Sequence, residues 1–277
     1  MVEMPIGVMT WVLHDPIEAL ELAQAVGVKT MQLGCPPDDY DSERNNEFED
    51  RLRKSGIGVT TVFCGYAGED YATLETIKET VGLRNPKLRE GRVRKTYQIS
   101  DFAKGLGVNA IAAHIGFVPE DPGDPMYRDI VETMREIADY CKDNGQYFAL
   151  ETGQETAKTL LRFIEDVGRD NVRVNFDPAN MLFYGSGDPI EALETLKDYV
   201  IGVHCKDVKL EGGRPVEVPF GKGDVGAERF IRKLKEIGYR GPLTIERETM
   251  DLGEQKRDMA EIRKELEKLR EKALTTG

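Results

Sequence analysis

VRVNFDPANM (residues 172–181) starts as an alternating apolar run, Val172, Val174 and Phe176, then stops on an acid, Asp177, with Pro178 directly behind it. The β-branched and aromatic residues of the run predict a strand. Proline has no N–H to give to a sheet ladder, so a central strand cannot run through position 178. A buried strand that ends on a carboxylate raises the question of what the acid is for. In barrels of alternating strands and helices, such strand tips form the mouth of the active site.

The same strand-then-helix phrase recurs along the chain. PIGVMTW (5–11), TMQLGCP (30–36), GVTTVFCGY (58–66), NAIAAHIGF (109–117), YFALETG (147–153), VIGVHCKDV (200–208) and GPLTIERE (241–248) each precede a helical pattern, as the opening stretch does. Alternation of this kind implies parallel pairing, because every return to the sheet needs a crossover. Helical stretches ending in AVG, KSG, GLG, DNG, DVG and EIG place glycine where a left-handed cap is expected. Eight units in 277 residues predict a single-domain α/β fold, a (β/α)8 TIM barrel spanning 1–277. A doubly wound open sheet is the rival, and no G-x-G-x-x-G follows the first strand. Two connections, 67–90 and 209–226, are long, and both follow strands, which puts them on the catalytic face.

A formal net charge of −12 repels phosphate backbones, which argues against nucleic acid as a partner. No apolar run approaches the roughly 20 residues of a membrane span, and the N-terminal segment lacks the positive charge of a signal peptide. Cys35, Cys64, Cys141 and Cys205 show no metal-finger spacing and read as free thiols. A cytoplasmic enzyme is expected.

The strand tips carry the chemistry. Glu151 ends the fifth strand, Asp177 the sixth, His204 the seventh and Glu246 the eighth, at intervals of 26, 27 and 42 residues. The first two intervals fit one unit each, and the third fits a unit plus the long loop. Four such groups converge on one point, and three carboxylates cannot crowd there without compensation. A divalent cation provides it. Three oxygens and one nitrogen suit Mn2+ above all, with Mg2+, Co2+ or Zn2+ as alternatives. Strand alternation adds substrate-binding candidates: His114 at the end of the fourth strand, Lys206 on the face of His204, Asn180 just past Asp177, and Trp11 and His14 as a rim at the end of the first strand.

At these residues the chain resembles the sugar phosphate isomerase/epimerase superfamily, the xylose isomerase-like TIM barrels. ALETG, NFDPANM, GDPIEAL, VHCKDVK, VPFGKGDV and GPLTIERE carry the likeness over 149–248, and AAHIGFVP and TVGL extend it upstream. The resemblance implies that Glu151, Asp177, His204 and Glu246 hold one metal ion. It also implies that Glu151 and Glu246 act as acid and base, as in the ketose 3-epimerases. Asn180 departs from those epimerases, which carry a histidine three residues past the aspartate. The expected activity is metal-dependent epimerisation or isomerisation of a ketose, D-tagatose or D-psicose 3-epimerase-like, through an enediolate. A hydroxypyruvate-type isomerase and an inosose dehydratase-like lyase are the alternatives. An endonuclease IV-like activity needs many histidines, and this chain has only His14, His114 and His204. The partner is a small sugar or sugar phosphate. The segment 83–95, rich in Lys and Arg, is a candidate phosphate contact, and the apolar stripe Ile262, Leu266, Leu269 and Ala273 serves barrel closure or a homo-oligomer.

Overall fold

The computed structural model describes residues 4–11, 15–35, 42–212, 214–249 and 251–275, the side chains at 35 and 42–45 excepted. His14 lies outside the described residues. In chain order, β1 (Ile6–Trp11), α1 (Pro16–Val26), β2 (Thr30–Cys35), α2 (Ser42–Ser55) and β3 (Gly58–Cys64) come first. Next are α3 (Leu74–Thr80), α4 (Pro86–Gly105), β4 (Ala110–Ala113), α5 (Pro125–Asp143), β5 (Tyr147–Glu151) and α6 (Ala157–Val167). β6 (Val172–Phe176), α7 (Pro178–Tyr184), α8 (Pro189–Leu196) and β7 (Val200–Cys205) follow. The chain finishes with the hairpin β8 (Asp207–Glu211) and β9 (Arg214–Val218), then α9 (Ala227–Glu236), β10 (Leu243–Ile245) and α10 (Leu252–Thr275).

Eight parallel strands close into a barrel in the order β1-β10-β7-β6-β5-β4-β3-β2, with β8 and β9 forming a separate antiparallel pair. The expected TIM barrel is the fold. Five helices share one local device: Asp15, Asn85, Asp124, Asp177 and Asp188 each cap a helix whose next residue is proline. The side chain accepts an orphan N–H, and proline fills the position whose own N–H has no partner. The six glycines expected to cap helices, Gly27, Gly56, Gly107, Gly145, Gly168 and Gly238, all have positive φ, between 62° and 81°.

Two apolar layers hold the barrel. A large shell between strands and helices contains Phe48, Phe148, Phe163, Phe176 and Phe230. A small separate cluster, Met9, Phe63, Ala112 and Ala149, sits on the opposite strand faces, inside the barrel. Ile262 and Leu266 are buried in the outer shell, with Leu269 and Ala273 packed against it, so the α10 stripe is spent on this chain's own core.

Several boundaries differ from the sequence reading. β4 ends at Ala113 and β10 at Ile245, so His114 and Glu246 lie one residue beyond their strands. The connection 67–90 contains α3, and 209–226 contains most of the β8–β9 hairpin. The seven residues from Pro178 to Tyr184 form a helix that the sequence reading passed over. Asp207 anchors the long seventh connection: its carboxylate accepts N–H bonds from Val208, Gly221, Gly223 and Val225.

Candidate metal centre

The opening question has a two-part answer. Asp177 Oδ1 accepts N–H bonds from Ala179 (2.7 Å) and Asn180 (3.0 Å), capping α7. Its other oxygen, Oδ2, is buried and has no hydrogen-bond partner. His204 Nδ1 is likewise buried without an aligned partner. These two orphaned atoms face each other at 3.5 Å. Glu151 Oε1 and Glu246 Oε2 each lie 2.9 Å from the same nitrogen. One ligand atom from each of Glu151, Asp177, His204 and Glu246 lies within 4.8 Å of every other. All four residues are buried. An uncompensated cluster of this charge is costly in low dielectric. Asp177 Oδ2 offers an unpartnered lone pair, and His204 Nδ1, hemmed between two carboxylate oxygens, presents one on losing its proton, so the donor set fits a divalent ion.

The surroundings break the symmetry between the two glutamates. Burial, reinforced by Asp177 and Glu246, pushes Glu151 up to about 7 against the pull of His204. Burial also opposes ionisation of Glu246, but His204 and Lys206 outweigh it and hold this carboxyl below the usual carboxylate range. Burial disfavours charge on His204 too; the Glu151 and Glu246 carboxylates override it and raise the imidazole well above its ordinary value in the metal-free site. Lys206 Nζ sits 3.4 Å from Glu246 Oε2 and 3.2 Å from Glu248 Oε1. Those two carboxylates overcome the burial of Lys206 and keep it firmly charged.

Above the cluster opens a cavity of about 480 Å³. Trp11, Phe63, Tyr66, Tyr71, Phe183 and Tyr184 supply aromatic wall, and Glu69, Glu217 and Glu248 add acid. His114 lines it beside Tyr71, with ring centroids 6.1 Å apart. Burial and the Lys206 charge push His114 down to about 3, so its imidazole is neutral. Asn180 also lines the cavity, and Trp11 stands at its rim, 42% exposed. The structure thus brings together every sequence-derived site residue except His14, which is not described.

No residue of the basic segment 83–95 lines the cavity. Arg92 donates to the carbonyls of Gly82 and Ala67, Arg89 to those of Leu83 and Arg84, and Arg94 pairs with Glu90. Lys206 is the one Lys or Arg among the described lining residues.

Sequence reasoning missed Gln32 and Asn175. Gln32 Oε1 lies 2.7 Å from His204 Nε2, and Asn175 Nδ2 donates to Glu151 Oε2 at 2.6 Å. A polar amide in the middle of an otherwise apolar strand was the available signal in both cases. Glu217 and Glu248 were missed as well, because they come from the hairpin and from the segment past β10.

Among the described residues, no helix is long and apolar enough to cross a membrane. The model of the xylose isomerase-like TIM barrel family matches residues 20–272. A crystal structure of a xylose isomerase domain protein from Planctomyces limnophilus is 44% identical, with a TM-score of 0.93 over 98% of this chain and 99% of that one. A D-tagatose 3-epimerase-like protein shares the fold at 19% identity and a TM-score of 0.77, over 98% of each chain. An inosose dehydratase from Geobacillus kaustophilus is 28% identical over 144 residues, 45% of this chain and 46% of the dehydratase. The matches span about half the length of the curated relatives. With the closed barrel and the family model in agreement, this chain belongs to the xylose isomerase-like TIM barrel family.

Proposed function

We propose that the protein is a divalent-metal-dependent enzyme that moves a proton at the carbon beside a sugar carbonyl, acting as a ketose epimerase or isomerase. The observation that carries this reading is the pair of orphaned, buried atoms, Asp177 Oδ2 and His204 Nδ1, set between two glutamates at the floor of an open cavity. Glu151, Asp177, His204 and Glu246 hold the ion, and a set of three carboxylates and one imidazole suits Mn2+ best. The bound ion supplies Lewis-acid polarisation of the carbonyl. Glu151 and Glu246 reach the substrate from different strands, β5 and the end of β10. One takes the proton from the carbon, and the other returns a proton to the opposite face. In the reverse reaction they exchange roles. His114, a neutral imidazole, and Asn180 donate to or accept from hydroxyls, while Trp11 closes the rim.

The substrate of this reading is an unphosphorylated sugar. Glu69, Glu217 and Glu248 face a cavity whose one described cation already pairs with Glu246 and Glu248. A phosphate dianion about 4 Å from one such carboxylate meets repulsion on the order of several kcal/mol at a surface-like dielectric.

A second reading, dehydration, is favoured by Lys206. Its buried ammonium lies beside Glu246 in the cavity and is placed to stabilise the charge that develops on a departing hydroxyl. The similarity to an inosose dehydratase supports it. Incubation of Mn2+-loaded enzyme with unphosphorylated ketoses, inososes and the matching phosphates in D2O decides between them. Deuterium at an inverted carbon supports epimerisation, an aldose product isomerisation, and loss of water dehydration. Turnover of phosphates alone contradicts the substrate class, and no exchange with any of them contradicts the activity.

A further inference from the structure

We propose that Gln32 and Asn175 form a positioning pair which holds His204 in its Nε2–H form, so that Nδ1 is the atom presented to the metal, and which ties this ligand to Glu151. The proposal rests on the metal-centre reading above and adds two residues to it.

The direction of the hydrogen bonds follows from one end of the chain. Glu151 as an ionised ligand only accepts, so the Asn175 atom 2.6 Å from its Oε2 is the amide nitrogen. Asn175 Oδ1 then faces Gln32, and the Gln32 atom 3.0 Å away is its amide nitrogen. Gln32 Oε1 is left to face His204 Nε2 at 2.7 Å, and an amide oxygen only accepts. His204 must therefore carry its proton on Nε2, and the lone pair of Nδ1 points at the carboxylates. The chain runs through the barrel interior, since β2 and β6 are separated by three strands on either side of the ring.

Three further features show that the fold is built around this pair. Gln32, Asn175 and His204 are each about 1% exposed. The register shifts in the β2–β3 and β6–β7 ladders fall between Met31 and Gln32 and between Val174 and Asn175. The extra residues are Thr60 on β3 and Ile201 on β7, so each neighbouring strand changes register beside one of the two amides, and the shift on β7 sets Gly202 opposite Asn175. Gly202, on β7, needs no left-handed backbone, yet a Cβ there would lie 2.3 Å from Asn175 Oδ1 and 3.3 Å from Gln32 Nε2. Glycine at 202 makes the space the amides occupy.

Two measurements test the pair without reading activity. In the Zn2+-loaded wild-type protein, long-range ¹⁵N–¹H correlation of the histidine rings is expected to show His204 protonated on Nε2 and metal-bound through Nδ1. The opposite assignment overturns the proposal. Direct titration with Mn2+ is expected to show Gln32→Met weakened about 10–100-fold, the usual cost of removing an outer partner of a metal-bound histidine. Gln32→Glu keeps an acceptor for Nε2–H but sets a carboxylate oxygen against Asn175 Oδ1, so it is expected to retain the Nε2–H assignment of His204 while losing the tie to Glu151. Gly202→Ala, which pushes a methyl into Asn175 while sparing both amides, is expected to weaken Mn2+ and to shift the visible spectrum of the Co2+ form. Wild-type affinity in Gln32→Met, or an Nδ1–H assignment of His204 in Gln32→Glu, overturns the proposal. Wild-type protein that binds no ion overturns the metal reading itself, an outcome distinct from either.

Discussion

Asp177 does two jobs with two oxygens, and a pair of substitutions separates them. Asp177→Ala removes both. The N–H groups of Ala179 and Asn180 lose their acceptor at a position that is fully buried. Loss of a helix cap costs about 1 kcal/mol, and a buried donor left unsatisfied costs about 1–3 kcal/mol. The two effects concern the same bonds and do not add, so the expected total is about 1–3 kcal/mol. At roughly 2–4 °C per kcal/mol for a chain of this size, Tm falls by about 2–12 °C. Asp177→Asn keeps the capping oxygen but replaces the orphaned carboxylate oxygen with an amide NH2. Its metal-free stability is expected to equal or exceed that of wild type, because one of three crowded charges is gone. Thermal unfolding in EDTA and again in Mn2+ reads both jobs. Mn2+ at 100 times its Kd stabilises the wild type by about 2.7 kcal/mol; neither variant should show that gain. A full Mn2+-induced rise in Tm for Asp177→Asn would remove Asp177 from the metal set. An Asp177→Ala protein as stable as Asp177→Asn would refute the capping role.

Other outcomes follow from the same geometry. Glu151→Gln and Glu246→Gln should each lower solvent-deuterium exchange into substrate by at least about 100-fold with circular dichroism unchanged; full activity in either removes that carboxylate from catalysis. Mn2+ affinity should rise with pH through about 7. Glu151 is raised to about 7 and His204 lies well above its usual value, so both carry protons that the ion must displace below that pH. Proton release on binding, followed by calorimetry in buffers of different ionisation enthalpy, should shrink as pH rises past 7; a flat affinity from pH 5.5 to 8 contradicts the shifts. Lys206→Met should leave Mn2+ bound yet reduce kcat by at least about tenfold, since the cavity loses the buried ammonium beside Glu246. Unchanged kcat in Lys206→Met assigns that lysine to packing alone.

Much of the fold and of the metal set was legible because both depend on short-range rules. Asx-Pro pairs and terminal glycines mark the ends of helices locally, and the period of two places Glu151, Asp177, His204 and Glu246 at the tips of consecutive strands. The four ligands belong to neighbouring strands, so sequence spacing alone implies their convergence. The pair Gln32 and Asn175 is a different matter. Its hydrogen bond crosses the barrel between residues 143 apart in sequence, and its fit depends on Gly202 on a third strand. No local pattern encodes that meeting, although an amide inside an apolar strand hints at a partner. α7 escaped notice because seven residues that begin on a proline carry too little periodicity to stand apart from a loop. The β8–β9 hairpin was overlooked although Gly212 and Gly213 mark a turn between short runs. At 83–95 the sequence shows charge but not that Arg89 and Arg92 spend theirs on backbone carbonyls.

The most direct measurement is anomalous diffraction from a crystal of the protein soaked in Mn2+. A single peak within coordination distance of Glu151, Asp177 Oδ2, His204 Nδ1 and Glu246 is the predicted result. Absence of density there, with those four side chains pairing among themselves at full occupancy, contradicts the metal centre and the chemistry built on it.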